Sequence, residues 1–347
     1  MKRINHRMIQ LARESRGYTQ TRLAEETDIL QGYLSRIERG DAKLSLNNLK
    51  KIANVLQYPE SFFFQTNRIA TSDTHYRKSI VIDQSTKLKA EALMNIYKFN
   101  VEEMLKSLNL SIRNIPIFPD LSATPEKNAI FLRNYWNIDK GAISDLSRIM
   151  EKNGIIIIQV DFETDRIDGR TIVTDTGHPI IFINKKAPGD RQRLTLAHEL
   201  GHVVQHINSM STFERDEEDE AYRFGMEFLM PLSECEHSLK DLTIEKLADL
   251  KRAWKISMQS ILYRAQKSGL TNNNRCRYLW AQFSSKGWRK SEPMELPREK
   301  PTLLSRMVHK FINELDYSKK EIANMLNLTY KEFEERYFSE EIKMRIA

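Results

Sequence analysis

Residues Leu194 to His206 read L-T-L-A-H-E-L-G-H-V-V-Q-H, and within them His198, Glu199 and His202 form an H-E-x-x-H pattern in helix-compatible sequence. At about 3.6 residues per turn the two histidines lie on one face, so both imidazoles can reach one zinc ion while Glu199 takes a proton from its water. Leu194, Leu196, Ala197, Leu200, Val203 and Val204 flank the motif. A helix this apolar is largely buried, and buried histidines and a glutamate need partners, which a metal supplies. Two surface histidines on an ordinary helix would give the same pattern, and the flanks weigh against that. Gly201 costs about 1 kcal/mol of propensity relative to Ala, which makes sense where another backbone or a substrate passes close. His206 lies roughly 12 Å along the axis from His198, too far to share one ion with both others. It reads as a supporting or helix-end residue.

A hydrolytic zinc site wants three protein ligands and one open position. The acidic run Glu214-Arg215-Asp216-Glu217-Glu218-Asp219-Glu220 leads into Ala221, Phe224, Phe228 and Leu229, spaced as the apolar face of a second helix that ends at Pro231. On that wheel Glu217 and Glu220 fall on or beside the stripe, whereas Asp219 points away. Periodicity alone does not choose between them. Most of the run is also what a helix start attracts through its macrodipole.

The run R-L-T-L-A-H-E-L-G-H-V-V-Q-H, followed by E-A-Y-R-F-G-M-E-F-L-M-P, resembles the ImmA/IrrE-type metallopeptidases in two separated motifs. That resemblance implies a zincin-like core and maps Glu220, 18 residues beyond His202, onto the third metal ligand of a gluzincin-like zinc endopeptidase. The chain departs from the family pattern at Tyr222, Gly225 and Phe228, none of which removes a ligand. I-D-G at Ile167 to Gly169, H-P-I-I-F-I-N at His178 to Asn184 and the stretch Leu250 to Ala265 fit the same family. His178 and Tyr222 are candidate donors to a transition-state oxyanion.

The N-terminal end carries a second signal. Arg7 to Arg16, Thr19 to Thr27, Leu30 to Arg39, Ser45 to Leu56 and Pro59 to Phe64 are short amphipathic segments punctuated by Gly17, Asp28 and Gly40. Five short helices with brief joints suit a helix-turn-helix domain. G-Y-T-Q-T-R-L-A-E-E-T-D-I-L-Q-G-Y-L-S-R-I-E-R-G resembles the Cro/C1-type, or XRE, repressors. The resemblance makes Leu23, Ala24, Ile29, Leu34 and Ile37 core, places Gln20 against phosphate, and puts Gln31, Gly32, Tyr33, Ser35 and Arg36 on the helix that enters the major groove. Eleven basic against seven acidic residues in 1–66 supply four of the chain's net +7. Charge alone is a weak sign of DNA binding; the helix order and turns carry the reading.

With 347 residues, 40% hydrophobic and 29% charged, the chain has material for two or three packed units. Its charged N-terminus does not read as a signal peptide, and the longest aliphatic run, Ile155 to Ile158, is a buried strand and no membrane span. Cys235 and Cys276 lie far apart, as free thiols of a reducing cytoplasm. The fold class expected is mainly α with a small α+β domain. Its parts are a helix-turn-helix domain at 1–66, a linker and helical connector at 67–125, a metallopeptidase domain at 126–270 and a helical C-terminal subdomain at 271–347. Strands are expected at Ile155 to Val160, Arg170 to Val173 and Pro179 to Ile183, and helices at Lys87 to Leu110, Glu126 to Trp136 and Ile143 to Asn153. Tyr76-Arg77 resembles an element that precedes the protease in the family. Tyr317 to Ala323 faintly echoes Tyr18 to Ala24 without a convincing reader helix after it, and Trp288 reads as a packed residue.

Together the two resemblances imply a DNA-binding regulator fused to a zinc endopeptidase. Zinc, or another divalent ion such as manganese, would be the cofactor. Double-stranded operator DNA, a co-encoded helix-turn-helix repressor as substrate and a second copy on the operator would be the partners. Cleavage in cis within Gln65 to Thr86 is the other substrate option. The competing reading is a repressor whose metal domain is a non-catalytic ligand or stress sensor.

Overall fold

The computed structural model describes residues 3–70, 82–108, 114–116, 123–206 and 216–338. Tyr76-Arg77 and much of the cis-cleavage segment lie outside the described residues. The chain divides into two compact units, Met1–Ser111 with Ile172–Gly177 and Leu303–Ala347, and Ile112–Thr171 with His178–Thr302. Helices dominate both, with one small sheet, and no described helix is long and apolar enough to cross a membrane.

The first unit opens with α1 His6–Ser15, α2 Gln20–Thr27, α3 Gln31–Arg39 and α4 Leu46–Leu56. Local chemistry sets their limits. Asn5, Thr19 and Ser45 each accept a hydrogen bond from a first-turn N–H, and Asp28, Gly40 and Gln57 end α2, α3 and α4 in the left-handed conformation. The fifth segment is a 3-10 turn at Glu60–Phe64 that buries Phe62 and Phe63. Met8, Leu23, Leu34, Leu49 and Phe63 are wholly buried. A long helix, α5 Gln84–Leu108, carries the buried Lys98, whose Nζ lies 2.7 Å from Glu102 and 2.8 Å from Asp175.

In the second unit α6 Pro125–Tyr135 and α7 Leu146–Lys152 precede β1 Ile156–Val160, β2 Gly169–Val173, which belongs to this unit as far as Thr171, and β3 Pro179–Asn184. The sheet order is β1-β3-β2, with β1 and β3 parallel from Ile156 opposite Ile180 to Val160 opposite Asn184. Every residue of central β3 is buried, as its unbroken apolar run demands. α8 Gly189–Gln205 and α9 Glu217–Leu229 follow, then α10 Leu232–Cys235, α11 Ile244–Trp254, α12 Met258–Lys267 and α13 Asn273–Ser285. Ile157, Ile181, Leu196, Leu200, Phe224 and Phe228 form the heart of the core, and Trp288 packs against it. Both cysteines are buried and unbridged.

The stretch after α13 is held by two carboxylates. Glu292 accepts from the Met258 and Gln259 N–H groups at the start of α12 (2.8 and 2.9 Å), and Glu299 from those of Leu146 and Ser147 at α7 (3.0 and 2.6 Å). Both exploit the unsatisfied donors of a helix N-terminus.

α14 Leu303–Asn313, α15 Lys319–Met325 and α16 Tyr330–Tyr337 return to the first unit, so the stretch 271–347, expected as one subdomain, is divided after Thr302. The echo of Tyr18 to Ala24 extends beyond the stretch in which the sequence shows it. Thr19 and Ser318 cap α2 and α15, and positive φ recurs at Gly17 and Asp316 and at Asp28 (55°) and Asn327 (54°). The Ile29 N–H donates to the Ala24 carbonyl as that of Leu328 does to Ala323. Buried Leu23, Ala24, Ile29 and Leu34 are matched by buried Ile322, Ala323, Leu328 and Phe333. A helix, α16, follows the echo, but it does not have the side chains of a reader. Glu334 and Glu335 stand where α3 has Ser35 and Arg36, an acidic face that phosphates repel.

Candidate metal centre and DNA-reading helices

α8 carries His198, Glu199 and His202, and α9 crosses it at close range through missing side chains. A Cβ on Gly201 would stand 3.0 Å from the Cα and carbonyl oxygen of Ala221, and one on Gly225 3.0 Å from the Ala197 carbonyl carbon and the His198 nitrogen. Gly201 is therefore a place where another backbone passes. Gly201→Val should cost about 1–3 kcal/mol through overpacking and weaken metal uptake with it. Urea unfolding and metal titration of the variant check this; wild-type values in both would show that α9 yields freely.

The crossing aims Glu218 at the histidines. His198 Nε2 and His202 Nε2 are 3.1 Å apart, and the Glu218 carboxylate lies 3.5 Å from each. Ligand atoms about 2.0–2.1 Å from a tetrahedral ion stand about 3.3 Å from one another, close to the 3.1 Å between the two nitrogens and the 3.5 Å from each of them to its own oxygen of Glu218. Burial opposes ionisation of Glu218, but its hydrogen bonds with both imidazoles hold its carboxyl well below the usual carboxylate range. Burial likewise works against a charged His202, and the carboxylates of Glu218 and Glu199 outweigh it and raise the ring's pKa. Two imidazoles and a carboxylate drawn to share positive charge are a donor set that fits a divalent cation.

Glu220 is not brought into this group. Its carboxylate lies 3.1 Å from His206 Nε2, while Glu217 gathers with His202 and His206. Residues two apart on a helix point about 200° apart, so one orientation of α9 cannot offer both Glu218 and Glu220 to the same atoms. Ala221 against Gly201 fixes that orientation. Neither His178, buried just before β3, nor Tyr222, whose ring packs edge-on against Tyr263 with centroids 5.5 Å apart, belongs to the His198–His202–Glu218 group.

Glu199 is buried and accepts a 2.7 Å hydrogen bond from Thr171 Oγ1. A Cβ on Gly169, two residues earlier on β2, would meet Thr195 Cγ2 at 2.5 Å and Glu199 Cγ at 3.4 Å. Only glycine lets the strand come this near the helix. Sequence reasoning missed Thr171, for which the adjoining I-D-G was the one available signal.

In the first unit Gln20 and Gln31, the leading residues of α2 and α3, are joined: Gln31 Nε2 donates to Gln20 Oε1 at 3.1 Å, and Gln20 Nε2 to Glu38 at 2.7 Å. Glu38 is anchored in turn by the buried Arg13, whose Nε lies 2.7 Å from it. Tyr33 donates to the Lys43 carbonyl at 2.6 Å, and Gly32 and Arg36 are exposed, with Ser35 half-buried between them. Of the candidate reading residues, Gln31, Gly32 and Arg36 are thus exposed.

Residues 9–63 match the family model described as Helix-turn-helix, and residues 150–266 match the one described as IrrE N-terminal-like domain. No curated protein matches the chain. The second match spans β1 to α12 and so includes His198, Glu199, His202 and Glu218. From its two matched regions, the chain is a fusion of an XRE-type helix-turn-helix domain with a peptidase-family domain of the ImmA/IrrE kind.

Proposed function

We propose that this chain is a cytoplasmic, DNA-binding transcriptional regulator whose second unit is a zinc-dependent endopeptidase acting on a regulatory protein, with His198, His202 and Glu218 as the zinc ligands. The observation that carries the reading is the 3.1–3.5 Å spacing of those three donors with Glu199 beside them. Glu218 is proposed in place of Glu220, the ligand mapped by family resemblance. Zinc bound there would supply Lewis acidity and lower the pKa of a water. Glu199, oriented by Thr171, would take a proton from the attacking water and return it to the leaving amine. His178 and Tyr222 are the candidate donors to the oxyanion. The proposed substrate is a co-encoded helix-turn-helix repressor, or this chain itself, and the operator is bound by a homodimer. The test is metal content of the purified protein together with cleavage of the co-encoded repressor; metal without cleavage under any inducing condition would leave a sensor in its place.

Zinc that binds only the folded site must stabilise it. At a hundredfold excess over Kd the gain is about 2.7 kcal/mol, expected as an upward shift of the second unit's thermal transition that a chelator reverses. A melting curve indifferent to zinc would count against the ligand set. For the first unit, Arg36→Ala is expected to cost about 1–3 kcal/mol of operator affinity if Arg36 reads a base edge. Gel-shift titrations on operator and scrambled duplexes separate that from a phosphate contact, which would weaken both alike.

A further inference from the structure

Beyond the three ligands, a second line of side chains reaches the same centre from behind. His202 Nδ1 lies 2.9 Å from His206 Nδ1, and His206 Nε2 lies 3.1 Å from Glu220 Oε2. Each contact constrains the next. An ionised carboxylate only accepts, so the proton between Glu220 and His206 sits on His206 Nε2. A neutral His206 then offers a lone pair at Nδ1, which must accept from a proton on His202 Nδ1. With that proton placed, His202 Nε2 is the atom left facing His198 Nε2, 3.1 Å away, and the Glu218 carboxylate. This assignment satisfies both contacts of His206 and leaves Nε2 as the His202 atom that would take a cation in place of the proton it shares with Glu218.

We propose that Glu220 and His206 are positioning residues, a carboxylate-to-imidazole relay that fixes the tautomer and ring orientation of His202. Metal-bound histidines commonly donate their other N–H to a carboxylate, and here an imidazole is interposed. The arrangement gives roles to two residues outside the ligand set. His206 is too far along α8 to share an ion with His198 and His202 together, yet is placed to receive the Nδ1–H of His202. Glu220 lies on the other side of α9 from Glu218 and still contributes to the centre. His202, His206 and Glu217 also lie close enough to hold a cation of their own. That ion would need the same His202 ring deprotonated at both nitrogens, whereas the relay needs only an ordinary neutral imidazole.

The inference rests on the ligand set proposed above, and the experiment separates the two. Zinc is titrated into the metal-free full chain against a chromogenic chelator, with circular dichroism and melting of the metal-free proteins as a structural control. Wild type should bind one equivalent. His206→Ala and Glu220→Ala should each bind one equivalent about 10–100-fold more weakly with unchanged metal-free melting. Glu220→Gln, which keeps an acceptor oxygen, should recover part of the loss. Glu218→Gln should lose more than any of them. Wild-type affinity in both His206→Ala and Glu220→Ala would overturn the relay and leave the ligand set standing. So would two equivalents in wild type falling to one in His206→Ala, which would mark a second ion. A loss in Glu220→Gln as deep as that in Glu218→Gln would make Glu220 a direct ligand. No zinc in wild type would overturn the ligand set itself, and the relay with it.

Discussion

Glu199→Gln is expected to lower peptide hydrolysis by at least the 10²–10⁴-fold that a positioned general base contributes, while zinc uptake and operator binding stay at wild-type levels. The amide is nearly isosteric with the carboxylate and can still accept from Thr171 Oγ1, which in the wild type donates to Glu199 at 2.7 Å. What it cannot do is take a proton. Removing Thr171 instead should leave the base chemically intact but poorly aimed, with a smaller fall in turnover and little change in substrate affinity. Turnover of purified Glu199→Gln at the wild-type rate, measured on the co-encoded repressor with zinc content verified, would show that another group serves as base.

The second large effect lies in the first unit. Glu332 is buried and accepts from Arg16 at 3.0 and 2.6 Å and also from Arg336. Arg16 in turn donates to the Leu56 carbonyl behind α4 and stacks over Tyr58, its guanidinium carbon 4.2 Å from the ring centre. Burial resists a charged Arg336, yet the carboxylate of Glu332 outweighs it and pushes the guanidinium's pKa higher still. Glu332→Ala would strand that buried cation. Breaking such a pair costs about 3–5 kcal/mol, since the remaining charge keeps its desolvation penalty and loses its partner. Urea unfolding followed on the first unit should show the loss, and a change well under 1 kcal/mol would mean that water reaches Arg336.

The same carboxylate gives a pH dependence with a definite sign. Burial would raise its pKa, but Arg336 and Arg16 together hold it below the ordinary glutamate range, about 4.3 in the unfolded chain. The unfolded chain therefore binds the proton first as the solution is acidified. Stability from Glu332 is complete above the unfolded glutamate pKa of about 4.3 and is lost as the pH falls from there through the lower folded pKa. Glu332→Gln should flatten that acid limb.

Much of this was legible in the sequence because the signals are local. Thr19 and Ser45 cap helices, Asp28 and Gly40 end them, and H-E-x-x-H needs only one turn of one helix. The strands between Ile155 and Ile183 were equally plain from their β-branched runs. Glu218 was not legible, since a wheel drawn for α9 says which side is apolar but not which acid meets a partner helix. That choice is made by Ala221 resting on Gly201, a contact between residues on different helices. Nothing in the acidic sequence around Glu332, Glu334 and Glu335 marks Glu332 as buried, since its partner Arg16 lies 316 residues away. Glu292 and Glu299 likewise sit in a stretch with no periodicity, and their roles at distant helix starts follow only from tertiary structure.

The joining of α14–α16 to α1–α5 also imposes an order on biosynthesis. Arg16 and Glu332 are 316 residues apart, with all of the second unit encoded between them. At about 5–20 residues per second, roughly 16–63 s pass between the emergence of the one and of the other from the ribosome. Throughout that interval α1 to α4 can form their own short-range contacts, but the end of α1 waits without its carboxylate partner. A nascent chain halted before α14 would thus present α2 and α3 on an unfinished unit, and synthesis of α16 is the event that closes it.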